Sequence, residues 1–172
     1  MPVENTSEKK LTSDKLAYTS LSLHHSMMKP RTATPIGIAQ ECIIARLRIL
    51  TRVITKMYDD ALRPLGIKIS QLNILVVAGT AESIVPAEVC RRLQLDLSTL
   101  SRNVDRMRAR GWIELIADEA DGRAHLLKLT RKGRQLLENA KPAWEKTQKE
   151  VHKLLGGSCV EALHAAADKV RS

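Results

Sequence analysis

Between Pro86 and Gly133 the chain reads PAEVCRRLQLDLSTLSRNVDRMRARGWIELIADEADGRAHLLKLTRKG, and the spacing of apolar and turn residues there admits few folds. Pro86 suits the first turn of a helix, where its missing N–H costs nothing, although Val85 before it is a poor cap. Val89 and Leu93 face inward from that helix. After a tight turn, Leu97, Leu100, Val104 and Met107 recur at helical spacing on one face, with Thr99, Arg102, Asn103, Arg106 and Arg110 on the opposite one. Asp96 or Ser98 can cap this second helix and Gly111 stops it. Trp112 to Ala117 then reads as a strand, DEADG as a turn, and Ala124 to Leu129 as the returning strand with Leu127 and Leu129 on one face.

That order is a helix-turn-helix followed by a small β wing. A helix with an apolar back and a long, polar, cationic front is what major-groove readout of double-stranded DNA requires. The flanks are helical. From Ile38 onward Ile43, Leu47, Leu50, Ile54, Met57 and Ala61 alternate at three and four, until Pro64 and Gly66 close the helix. Ser70 is placed to cap a second helix ending at Gly79, with Leu72, Leu75 and Val76 inward. Thr130 starts a long helix with a stripe of Leu136, Leu137, Ala140, Trp144, Val151 and Leu155; Pro142 should kink it without ending it. Gly156 and Gly157 end it, and Ser158 to Glu161 reads as a capping box for a last helix seamed by Val160, Leu163, Ala167 and Val170. The expected fold is mainly α with a small β wing. Residues 1–35, rich in Ser, Thr, Lys and Pro, are expected to form a mobile tail. Residues 36–172 form a single domain in which 67–130 is the DNA-binding lobe.

Composition agrees and removes other classes. At 172 residues and 44% hydrophobic the chain can bury a core without staples, and with no Phe, two Trp and two Tyr that core is aliphatic. A net charge of +9 favours a polyanionic partner. Cys42, Cys90 and Cys159 are odd in number and widely spaced, which speaks against a disulfide framework, and no histidine stands at ligand spacing, so neither a metal nor a cofactor is expected. No apolar run approaches the roughly 20 residues that span a bilayer, and no secretory signal opens the chain, so a cytoplasmic protein without membrane attachment is expected. Neither a P-loop, GxSxG nor HExxH occurs, and the chain does not read as an enzyme.

Four stretches, RVITKMYDDALRPLGIKISQLNIL, LSTLSRNVDRM, DEADGR and LKLTRKG, together resemble the MarR-type winged-helix transcriptional regulators over residues 38 to 155. The resemblance implies a homodimer in which the segments 36–62 and 131–171 interlock as dimerisation helices. The apolar seams of the first and last helices support this, since a small core cannot cover them. It places the groove-reading residues on Ser98, Thr99, Arg102, Asn103 and Arg106. Arg102 is the best base reader, because arginine contacts guanine bidentately. It also assigns Arg123 to the minor groove and Asp121 to holding the wing in shape, with Ala120 where many relatives carry another arginine. The family's small aromatic or phenolic effectors imply a pocket around Met57, Tyr58, Leu72 and Leu136.

The function that follows is a sequence-specific dimeric regulator, a repressor released from a pseudo-palindromic operator by a small ligand. Two alternatives stand beside it. One is an architectural protein that coats DNA with little sequence preference. The other is a redox-sensing regulator built on Cys42, although the partner tyrosines of peroxide-sensing relatives are absent from residues 70 to 79 and an inert thiol is expected.

Overall fold

Each helix ends where the sequence changes its backbone chemistry, and those ends set the architecture. The computed structural model describes residues 37, 41–118 and 125–171; the expected tail and the wing tip, with Ala120, Asp121, Gly122, Arg123 and Ala124, lie outside them. From Ile43 onward the chain is one compact unit. Helix α1 (Ile43–Leu62) runs into a 3-10 turn at Arg63–Leu65 that ends on Gly66. Gly66 takes φ +66°, a left-handed conformation that favours glycine, and its N–H donates to the Arg63 carbonyl at 2.9 Å.

Helix α2 spans Ile69–Ala78, so Ser70 lies inside its first turn and is not its cap. Two other side chains satisfy the helix start. Asp59 of α1 accepts from the Ile69 N–H at 2.8 Å, and Gln71 accepts from the Lys68 N–H at 3.2 Å. The inward set also differs from expectation. Leu72, Ile74, Leu75 and Ala78 are buried, whereas Val76 is 50% exposed. A helix apolar almost all round gives no period from which to choose a face, and its neighbours choose it.

Helix α3 (Pro86–Leu93) starts as the sequence indicates, with Pro86 in its first turn and Val85 contributing no side-chain cap. Helix α4 (Leu97–Ala109) follows, capped by Asp96. Strands β1 (Ile113–Ala117) and β2 (His125–Leu129) pair antiparallel, with Ile113 opposite Leu129 and Ala117 opposite His125. A third rung was not legible in the sequence. Ile84, ahead of α3, exchanges both backbone hydrogen bonds with Leu127 at 3.0 and 2.9 Å and fastens β2 to the helix-turn-helix.

Helix α5 (Arg131–Leu155) continues through Pro142 without ending. Gly156, at φ +78°, turns the chain directly into α6 (Gly157–Arg171). Ser158 is therefore already helical, and the expected capping box does not form. Leu62, Leu75, Val89, Leu100, Met107 and Leu129 are among the side chains of the single aliphatic core.

Large apolar surfaces stay open at the two ends of the sequence. Ile43 is 73% and Leu47 43% exposed on α1, and Leu154, Leu163 and Val170 are exposed on α5 and α6. Among the described residues no single helix is long and apolar enough to cross a membrane.

Candidate nucleic-acid interface

Asp96 organises the start of α4. Its carboxylate accepts from the Thr99 N–H at 2.8 Å, the Ser98 hydroxyl at 2.6 Å and the Thr99 hydroxyl at 2.8 Å. These donors, the side-chain hydroxyls of Ser98 and Thr99 first, hold Asp96 well below the usual carboxylate range. A carboxylate at this end also complements the partial positive charge of the helix N-terminus. The result is a rigid first turn in which two of the expected contact residues are already oriented.

Leu100, Val104 and Met107 are buried behind α4, as helical spacing indicates. Leu97 is not: it is 63% exposed, because the first residue of α4 projects beyond the core that α3 and β1 cover. Across the front, Ser98, Arg102 and Arg106 are exposed while Thr99 and Asn103 are half-buried. Asn103 donates its amide to the Thr99 carbonyl at 2.9 Å, one turn back, and Arg102 leans on the Thr99 hydroxyl at 3.3 Å. Thr99 and Asn103 thus brace the face, and the exposed Arg102 and Arg106 extend from it.

Arg110 leaves this face altogether. Its guanidinium donates to the Gly66 carbonyl at 2.9 Å and stacks over the Trp112 ring at 5.0 Å. A backbone carbonyl 44 residues away claims it, which helical periodicity cannot reveal. On α3, Glu88 holds both Arg91 and Arg92, at 2.7 and 2.5 Å, and those two hydrogen bonds bring its carboxyl down to about 2.

The wing is anchored by the Leu-Thr-x-x-Gly stretch. Thr130 caps α5 by accepting from the Gly133 N–H at 3.0 Å, and its hydroxyl lies 2.7 Å from the Gly111 carbonyl and 3.1 Å from that of Trp112. Gly133 is the residue that permits this approach, since a Cβ there would lie 2.1 Å from the Trp112 carbonyl oxygen. This motif therefore serves the fold by locking helix to hairpin.

The four expected effector residues do not line one cavity. Leu72 lines a groove of about 380 Å³ between α2 and α5, together with Val76, Leu137, Ala140 and Trp144. Leu136 lines a separate cleft on another face of α5. Met57 is half-buried, and Tyr58 is buried and donates its hydroxyl to Gln148 of α5. Burial raises the Tyr58 pKa above its ordinary value. Cys42 is half-buried.

Comparison with known proteins follows the same lines. The MarR family model matches residues 65–124, from the turn before α2 into the wing. A cysteine-to-serine mutant of MarR from E. coli, solved in complex with operator DNA, superposes with a TM-score of 0.69 at 27% identity, covering 77% of this chain and 96% of that one. Over these residues this chain is similar to the MarR family. The multiple antibiotic resistance protein MarR of Salmonella typhimurium is 35% identical over 83 residues, 48% of this chain. That match spans 58% of the relative's length. CouR from Rhodococcus jostii RHA1, bound to p-coumaroyl-CoA, shares the MarR fold at a TM-score of 0.66 and 20% identity, over 77% of this chain and 93% of its own.

Proposed function

We propose that this protein is a MarR-family regulator, dimeric and sequence-specific, that inserts α4 into the major groove of a pseudo-palindromic operator. The observation that carries the reading is the front of α4. Exposed Ser98, Arg102 and Arg106 stand on a helix whose first turn is fixed by Asp96 and whose back is buried in the core. Arg102 has the length and fork to contact a guanine bidentately, while Ser98 and Thr99 suit phosphate. Arg123 and Asp121 serve the minor groove and the wing, where the negative potential of a narrow A·T-rich groove draws arginine. The likeness to MarR from E. coli in complex with operator DNA supports the partner.

The second half of the proposal is the dimer. Exposed Ile43 and Leu47 at one end of the sequence, and Leu154, Leu163 and Val170 at the other, form apolar area that a second copy covers. Two lobes so joined reach both half-sites only when their recognition helices stand about one DNA turn, roughly 34–36 Å, apart. An apolar or phenolic ligand that prefers another spacing then releases DNA, and the repressor sign rests on the habit of the family that the chain resembles. The ligand's place is the groove between α2 and α5 that holds Leu72, Val76 and Trp144.

Selection of bound sequences from a random double-stranded pool tests the reading. A two-fold symmetric motif is expected. Recovery of sequences without a shared motif would leave an architectural coating protein in its place.

A further inference from the structure

One carboxylate gathers the charges on the outer face of α3. Glu88 accepts from Arg91 Nε and Nη2, at 2.7 Å each, and from Arg92 Nε at 2.5 Å. Arg92 also donates through Nη1 to the Thr80 hydroxyl at 3.1 Å, and that hydroxyl donates to the Val77 carbonyl of α2 at 2.8 Å. Helical spacing brings the three charges together, since Arg91 and Arg92 stand three and four residues after Glu88, while Val89 is buried on the other side of the helix. The carboxylate is the sheltered member, 23% exposed against 66% for Arg91 and 43% for Arg92. With its carboxyl at about 2 it is ionised at neutral pH, so the two cations present the net charge of one.

Two exposed arginines on the first helix of a helix-turn-helix stand on the element that crosses the sugar-phosphate backbone. Carboxylate and phosphate compete for the same groups, because a guanidinium clasps either one with two parallel N–H bonds. The fork that Arg91 offers through Nε and Nη2 is the one that Glu88 occupies. We propose that Arg91 and Arg92 form a DNA-backbone contact surface on α3, and that Glu88, without touching DNA, weakens it by holding both guanidiniums in place of phosphate.

Glu88 is thereby a positioning residue, and this role rests on the regulator reading. It lowers affinity for every sequence alike, because phosphate contacts carry no base information, and it leaves the choice of sequence to the front of α4. Two plainer roles predict other behaviour. A solvated helix face that merely pairs its charges leaves DNA binding indifferent to Glu88. A carboxylate that repels DNA at a distance acts whether or not the arginines are present.

Full-length protein is titrated by anisotropy onto labelled duplexes recovered by the selection and onto a scrambled duplex of the same length, across about 50–200 mM salt. Glu88→Gln keeps the size of the side chain and removes its charge. It should tighten binding to both duplexes by a like factor, about threefold to tenfold at the low-salt end, and steepen the salt slope by about one unit or more as the freed arginines displace counterions. Arg91→Gln with Arg92→Gln should bind more weakly than the parent, and adding Glu88→Gln to that pair should return less than about twofold. Circular dichroism establishes that each variant is folded. Unchanged or weaker binding by Glu88→Gln would overturn the proposal, and so would a gain that persists in full without the arginines. A parent that prefers neither duplex, beside a Glu88→Gln gain that needs the arginines, would reject sequence specificity and leave the role of Glu88 standing. A parent that binds neither duplex at about 50 mM salt would reject the regulator reading itself.

Discussion

Replacing Gly133 by alanine sets two physical effects of opposite sign against each other. Intrinsic helix propensity favours the change by up to about 1 kcal/mol, because glycine is a poor helix former. Packing opposes it: the new Cβ would lie 2.1 Å from the Trp112 carbonyl oxygen and 2.7 Å from Leu129 Cδ1. Carbon rarely approaches a carbonyl oxygen closer than about 3.3 Å, so the start of α5 must retreat by roughly 1 Å. Retreat strains the Thr130 contacts at 2.7 and 3.1 Å to the Gly111 and Trp112 carbonyls and the Thr130 N–H bond to Trp112 at 3.1 Å. Losing two such bonds at about 1 kcal/mol each, with about 1–3 kcal/mol of overpacking, outweighs propensity and leaves a net loss of about 2–4 kcal/mol. Urea denaturation at fixed chain concentration reads this as a fall in midpoint of about 1–2 M, for a slope of about 2 kcal/mol per M. Gly157→Ala is the control, because nothing lies within 4 Å of its Cβ position and only propensity acts there. A Gly133→Ala protein as stable as the parent would refute the argument that this glycine exists for close approach.

Three further expectations follow from charge, groove contact and assembly. Glu88, held at about 2 by Arg91 and Arg92, contributes stability that is fully present above its ordinary value of 4.5 and is lost as pH falls toward 2. The difference in thermal midpoint between parent and Glu88→Gln should therefore close over that interval, and a constant difference would count against the pairing. Arg102→Ala should relax preference at one position of each half-site at a cost of about 1–3 kcal/mol, while Arg123→Ala should weaken binding to many sequences and flatten the salt slope by about one unit. Operator titrations across salt separate the two, and parent-like binding by Arg102→Ala would show that the assigned face is wrong. Sedimentation at low micromolar concentration should find the full chain dimeric and Leu47→Glu dissociated, and a folded monomeric parent would end the dimer proposal.

Most of the element plan could be read from residues alone because it is written in local chemistry. Asp96 and Thr130 cap the helices they precede, Pro86 begins α3, Gly111 ends α4, and Leu100, Val104 and Met107 face inward at helical period. The exposed front of α4 follows from the same period, since the face opposite a buried stripe is the face left to solvent. What the period cannot state is which distant group covers a given side chain. Ser70 yields its capping role to Asp59, a residue of the preceding helix. Ile74 is buried and Val76 exposed because α2 is apolar over most of its circumference and its neighbours select the face. A one-residue bridge such as Ile84 to Leu127 has no strand pattern to announce it. Arg110, placed by period among the groove-facing residues, is recruited by a carbonyl that the turn at Gly66 brings within 2.9 Å, and only the folded chain decides between those uses of one long cation.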